Sequence, residues 1–267
     1  MGLDIYSGKL TRYYSRNWKN IVQQLAEKNG MECVMTDGSN EIKTVEDKTE
    51  IEQIRKTITK WADDLAANIK LYLATDTDLP LSTPLWDEIT ECDYYTDKPD
   101  WEAFGALIML QACQSLNRPL PEYVESRWSA FENPIVTEAM AKKITNSLLY
   151  GVTLWLPIPY NAIILTEYPT GDKGPISTVS FLKHELEELN QQLWKADEAT
   201  ILSWRNDKFY VPIKTKEPKL LFGFIRRKDK IQKEKYRTEE LAQCAYSMLY
   251  QAVRFAEEHQ VPIILDY

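Results

Sequence analysis

Met1-Gly-Leu-Asp-Ile-Tyr-Ser-Gly-Lys-Leu-Thr-Arg-Tyr-Tyr14 opens the chain, and its reading sets the fold class. Leu3 and Ile5 alternate with Asp4 and Tyr6, the two-residue period of a strand with one buried face. Ser7-Gly8-Lys9 has the composition of a turn, and Leu10 to Tyr14 reads as the return arm of a hairpin. At the other end of the chain, Val261 to Leu265 is a second apolar, β-branched run of strand type. Strands at both ends with helices between them predict an α+β fold: a mixed or antiparallel sheet with several packed helices, its N- and C-terminal strands in one sheet.

The intervening pattern is helical as far as about residue 150. Asn17 to Asn29 predicts a helix with Trp18, Ile21, Val22, Leu25 and Ala26 on one face and Gly30 as a left-handed terminator. Met31 to Met35 reads as a short strand and Asp37-Gly-Ser-Asn40 as a turn. Thr49-Glu-Ile-Glu52 has the form of a capping box at the head of a long helix whose stripe is Ile51, Ile54, Ile58, Trp61, Leu65 and Ile69. Another helix carries Phe104, Leu107, Ile108, Leu110 and Ala112, with Asp97 as its expected cap. A further one starts at Asn133-Pro134 and runs towards Tyr150.

Beyond residue 150 short strands are expected around Val152 to Leu156, Ala162 to Thr166, Ile176 to Val179, Phe209 to Ile213 and Leu220 to Ile225. They are separated by helices from Ser180, Asp197 and Thr238. Strands and helices do not alternate regularly enough for a doubly wound sheet. A single compact domain over 1–267 is the expected organisation. The alternative divides a mainly helical 1–150 from a mixed 151–267.

The totals exclude several classes. With 44% apolar and 27% charged residues and 8 Trp, 15 Tyr and 7 Phe, the chain has the composition of a folded protein. A net charge of −8 argues against a nucleic-acid partner. Cys33, Cys92, Cys113 and Cys244 have no CxxC spacing, so neither a zinc ribbon nor a redox pair is expected. The opening shows no signal segment and the apolar runs are short, so a cytoplasmic protein without a membrane partner is expected. His184 stands in Lys-His-Glu-Leu-Glu-Glu188, which lacks the second histidine of a zinc helix, and GxSxG and the phosphate loop are absent. No metal and no cofactor are expected, and no catalytic residue is nominated.

Two charged segments stand out. Residues 76–102 carry nine acids against a single base, Lys98, with Trp86, Tyr94, Tyr95 and Trp101 among them. Aromatics beside carboxylates suit a cationic partner surface, and Trp86, Asp87, Tyr94, Tyr95, Asp97 and Trp101 are the candidate partner-binding residues. The alternative use is a carboxylate pair acting on a glycoside. The plainer use is capping acids on loops, with aromatics pinning the loops to a core. Residues 205–237 hold twelve bases against four acids, with Arg226, Arg227, Lys228 and Lys230 as a candidate basic patch for phosphates. The plainer use there is a core strand followed by an exposed basic loop.

Gly2-Leu-Asp-Ile-Tyr6 and Leu10-Thr-Arg-Tyr-Tyr14 resemble the start of a group of uncharacterised bacterial proteins of similar length. Glu185-Leu-Glu-Glu-Leu-Asn190 is similar to a later helix of that group. The resemblance is closest over the first thirty residues; it implies a cytosolic bacterial protein and transfers no functional residue. Together these readings lean away from catalysis and towards a non-enzymatic protein-binding module of immunity or antitoxin type. The alternatives are a glycosidase-like hydrolase using 76–102 and a nucleic-acid-associated protein using 205–237.

Overall fold

A computed structural model of the chain describes residues 3–34, 36–37, 40–41, 43–73, 84–126, 128–142, 144–205 and 234–266. The strands expected at Phe209–Ile213 and Leu220–Ile225 lie outside the described residues. In chain order the elements are β1 (Asp4–Ser7), α1 (Leu10–Tyr14), α2 (Ile21–Lys28), β2 (Thr36–Asp37), β3 (Asn40–Glu41), α3 (Lys48–Leu73), β4 (Tyr95–Asp97), α4 (Trp101–Ser115) and β5 (Tyr123–Glu125). There follow α5 (Pro134–Ala141), β6 (Leu154–Leu156), β7 (Ile163–Glu167), β8 (Lys173–Thr178), α6 (Val179–Leu193), α7 (Glu198–Ser203), β9 (Lys235–Arg237), α8 (Thr238–His259) and β10 (Ile263–Asp266). The fold is α+β, and the terminal strands share one sheet.

The backbone divides into two compact units. The first comprises residues 1–98, 145–195 and 248–267, and the second 99–144 and 196–247.

The first unit holds a six-stranded sheet in the order β4-β1-β10-β6-β8-β7. All its pairings are antiparallel except β6 with β8. β1 aligns Asp4 to Ser7 with Asp266 to Ile263 on one side and Ile5 to Ser7 with Asp97 to Tyr95 on the other. The two-residue period assigns the side chains. Tyr6, Leu154, Leu156, Ile164, Ile176 and Ile264 form one face, packed with Ile58, Ala62, Leu65, Ala66 and Ile69 of α3 and with Leu10, Trp18, Leu85 and Trp86. The opposite face carries Ile5, Tyr95, Trp155 and Ile263. There the Trp155 indole meets Ser147, the partner of Glu185 on α6, and Tyr95 packs on Phe255 of α8 with ring centroids 6.3 Å apart.

Leu10 to Tyr14 is a helix, not the expected return strand. The reason lies outside the segment. Both hydrogen-bonding edges of β1 are occupied, by β10 and β4, so a returning arm has no edge left to pair with. The freed amides of Leu10 and Thr11 donate instead to the Glu88 carboxylate, at 3.0 and 2.9 Å. A residue 77 positions away thus caps a helix whose own N-cap, Lys9, makes no side-chain cap bond. Gly8 allows the close approach that this needs, because a Cβ there would lie 2.6 Å from the Tyr6 hydroxyl. That hydroxyl donates to the Lys9 carbonyl at 2.9 Å.

Other boundaries move for local reasons. Residues 31–34 form no strand. Asp47 accepts from the Thr49 amide at 2.7 Å at the head of α3, ahead of the expected capping box. Thr178 caps α6 in place of Ser180. α5 keeps its Asn133-Pro134 start and stops at Ala141. Asp97 ends β4, leaving Asp100 to cap α4 by accepting from Ala103 at 2.8 Å.

In the second unit α4 is buried from Ala103 to Leu110 and at Ala112 and Cys113. Gly105 lets Ala130 and Trp128 approach to 3.2 and 3.3 Å of the position a Cβ would take. β5 and β9 form a two-stranded ladder, and Trp204 meets Tyr246 edge to face at 5.7 Å.

Replacing Glu88 with Ala leaves the Leu10, Thr11 and Trp86 donors without their acceptor in a buried position. Urea unfolding is expected to show a loss of about 3 kcal/mol or more, and roughly half of that for Glu88→Gln, which keeps one acceptor oxygen.

Candidate functional site

Most of the nominated residues of 76–102 fall in the first unit and are engaged inside it. Trp86 is 5% exposed; its Nε1 donates to Glu88 at 2.6 Å and its ring meets Trp61 edge-on at 6.0 Å. Asp87 accepts from the Ile89 amide at 2.7 Å and from Thr90. Hydrogen bonds from Thr90 and then Ile89 hold its carboxyl below the usual carboxylate range. Lys9 donates to the Asp87 carbonyl and lies 3.9 Å from its carboxylate.

Tyr94 stacks on Tyr6 at 5.9 Å, accepts from the Lys19 amide at 3.0 Å and lies under the Arg12 guanidinium at 5.2 Å. Arg12 also donates to Glu91 at 2.9 Å and to the Cys92 carbonyl at 2.7 Å. The period of the sheet separates Tyr95 from this group. Its hydroxyl donates to Asp97 at 2.8 Å on the face that packs against α8. Trp101 is the first residue of α4 and belongs to the second unit, with 38% of its surface exposed. Asp76 and Asp78, and the basic patch of Arg226, Arg227, Lys228 and Lys230, lie outside the described residues.

The Arg12-Tyr13-Tyr14 cluster joins the same assembly. Tyr13 stacks on Trp18 at 5.8 Å, and Tyr6 lies 5.4 Å from Tyr13 and 5.0 Å from Trp18. At the end of β1, Asp4 faces Asp266 across the ladder. Lys98 pairs with Asp4 at 2.9 Å and Arg16 with Asp266 at 3.6 Å, which separates the demands of the two like charges. Burial raises the Asp4 carboxyl from its ordinary value, opposed by Lys98.

Two features of the first unit present surface that is not committed in this way. α2 is well terminated at both ends. Asn20 and Gln23 form a reciprocal capping box. At the C-terminus the Gly30 amide donates to Glu27 and the Met31 amide to Ala26, with Gly30 at φ +69°, a Schellman motif. Yet α2 has no buried residue. Val22, Leu25, Met31 and Val34 are 43%, 52%, 60% and 49% exposed. A hollow of about 480 Å³ adjoins Met31, lined also by Lys19, Gln23, Glu27, Glu32 and Cys33. Of the expected stripe, Trp18 is buried ahead of α2 whereas Val22 and Leu25 are exposed, because nothing in the period says whether a stripe meets a core. The second feature is a cleft beside α3, bounded by Tyr14 and by Pro169 and Thr170.

One buried acid stands apart. Glu185 of α6 accepts from the Ser147 amide at 2.5 Å and from the Ser147 hydroxyl, which itself accepts from Trp155 Nε1 at 3.1 Å. Burial pushes its carboxyl up from 4.5 to about 7, against the Ser147 hydrogen bonds. Among the described residues no group of three or more His, Cys, Asp or Glu side chains could hold a metal ion, and no helix is long and apolar enough to cross a membrane.

No protein-family model, curated protein or solved structure matches this chain.

Glu185 sets a pH dependence with a definite sign. The folded protein keeps the Glu185 proton to higher pH than the unfolded chain, so stability falls as pH rises from 4.5 to about 7 and then levels off. The full effect is on the order of 3 kcal/mol. Glu185→Gln is expected to remove that slope and to raise the urea midpoint at pH 8 relative to the parent. An unchanged pH profile would show that Glu185 does not carry it.

Proposed function

We propose that this chain is a non-enzymatic protein-binding module, of the immunity or antitoxin kind, and that α2 with the segment following it is the docking surface. The observation that carries the reading is a helix capped at both ends that buries none of its residues and exposes Val22 and Leu25 beside Met31 and Val34. An isolated eight-residue helix is marginal by itself; here its caps and the half-buried Ile21 and Ala26 hold it, while Val22 and Leu25 stay exposed. Covering a large apolar side chain contributes about 1.5–3 kcal/mol, so this cluster can anchor an interface centre.

Charge favours a basic partner. Glu32 lines the adjacent hollow beside the Lys19–Glu27 ion pair, and the chain as a whole carries −8, which steers a cationic protein towards it. The carboxylates of Asp87, Glu88, Glu91 and Asp97 act as caps and hydrogen-bond or ion-pair partners, which supports a structural role for that segment over a hydrolytic cleft. A cytoplasmic setting goes with this reading.

Capture of a predominant partner from the parent cell lysate is expected for the full chain. It is expected to be lost in the Leu25→Asp, Met31→Asp double variant, with the melting temperature kept within about 2 °C because both residues are exposed. Undiminished capture by a folded double variant would sink the assignment of α2 as the docking surface.

A further inference from the structure

The cleft beside α3 has a volume of about 410 Å³. Its floor comes from one side of one helix: Glu50, Gln53, Ile54, Thr57 and Ile58 recur at the spacing that puts them on a single face of α3. One wall is Tyr14, at the end of α1. The other is the turn between β7 and β8, through Pro169 and Thr170.

That turn is held from several sides. The Tyr168 amide donates to Asp172 at 2.7 Å and the Gly171 amide to Tyr168 at 2.9 Å. Pro169 takes the first central position, and Gly171, at φ +92°, supplies a conformation that a side chain would strain. The Tyr168 ring lies across Gly174, where a Cβ would sit 2.6 Å from it, and its hydroxyl donates to Pro175 at 2.8 Å. Trp61 of α3 donates to the Glu167 carbonyl at 2.6 Å, tying the floor to the wall. The cleft is therefore built before any ligand arrives.

Its charge has one sign. Among the described residues, Glu50 is the one Asp, Glu, Lys, Arg or His in the lining. On the turn, Asp172 accepts from the Thr170 hydroxyl at 3.3 Å. Burial, then the neighbouring Tyr168 and Asp172, push the Tyr14 hydroxyl up to about 12; Arg16 acts in the opposite direction. Arg16 is already paired with Asp266, and Arg55 of α3 with Glu52 at 2.6 Å. Ile54 and Ile58 set among polar Gln53 and Thr57 on the floor, an aromatic wall, the Glu50 carboxylate in the lining and the Asp172 carboxylate against Thr170 suit a cation on an aliphatic stem. An anion would meet no lining base among the described residues.

We propose that this cleft receives an arginine side chain presented by a partner polypeptide. The stem lies on Ile54 and Pro169, and the guanidinium is directed to the Glu50 and Asp172 carboxylates beside the Tyr14 ring. Arginine fits better than lysine because its planar head offers several donors at once and stacks on an aromatic ring. The proposal rests on the protein-binding reading but on a surface other than α2, so the two can fail separately.

The test titrates the full chain with N-acetyl-arginine amide and follows the backbone amide resonances of Thr57, Thr170 and Gly171. N-acetyl-citrulline amide, which has the same shape without the charge, is the control. Saturable shifts with arginine are expected, with affinity about tenfold weaker for citrulline and for arginine on Glu50→Gln. Tyr14→Leu, which keeps bulk and removes the ring, is expected to weaken binding about threefold. The Leu25→Asp, Met31→Asp variant is expected to bind the arginine probe unchanged. No saturation by about 50 mM probe, equal binding of citrulline, or undiminished affinity in a folded Glu50→Gln would each overturn the proposal. If any of these occurs while α2 variants still lose the lysate partner, the cleft inference fails and the α2 reading stands.

Discussion

The Glu88 carboxylate is the interaction on which the first unit depends. It accepts the first two amides of α1 and the Trp86 indole, and so joins the start of the chain to the segment before β4. β1 is paired on both edges, which obliges the chain to leave the sheet at Gly8. Turning out of a sheet leaves backbone donors to be satisfied, and leaving them unpaired in a buried position is costly. Once Glu88 meets that need, α1 lies over the same sheet face as α3. Tyr6, Tyr13, Trp18 and Tyr94 then interlock around it.

The same demand explains the acidity of residues 84–98. Asp87 closes a turn, Glu88 caps a helix, Glu91 holds Arg12, and Asp97 accepts from Tyr95 and from the Lys98 amide. The segment contains few regular hydrogen bonds of its own, so side-chain carboxylates supply acceptors that a ladder or helix would otherwise provide. The aromatics between them split by position: Trp86 and Tyr94 join the α1 and α3 side, whereas Tyr95 turns to the α8 side. What in sequence is one acidic and aromatic stretch is in space two sets of contacts on opposite faces of a sheet.

The surfaces proposed to bind a partner differ in kind. α2 is capped at both ends and incomplete in its packing, whereas the α3 cleft has a braced wall and a carboxylate in its lining. The first offers area, the second a site for one side chain. Both draw their definition from glycine: Gly30 turns the chain so that Met31 follows α2 closely, and Gly174 yields the space that lets Tyr168 brace the cleft wall.

Elements whose signals are periodic and local could be read from the sequence alone. The α3 stripe from Ile51 to Ile69, the Asn133-Pro134 start of α5, the Gly30 terminator, and terminal strands able to share a sheet were all legible in it, because side-chain period and capping chemistry act within a few residues. What those elements meet is set by packing between distant segments. Leu10 to Tyr14 has the composition of a strand and became a helix because β4 and β10 hold both edges of β1 and Glu88 stands at its head. Val22 and Leu25 have the spacing of a buried stripe and are exposed because no element covers them among the described residues. Edge availability, a distant cap and the presence or absence of a covering layer are relations between segments far apart in the chain. No local pattern encodes them, and they separate the predicted fold from the observed surface.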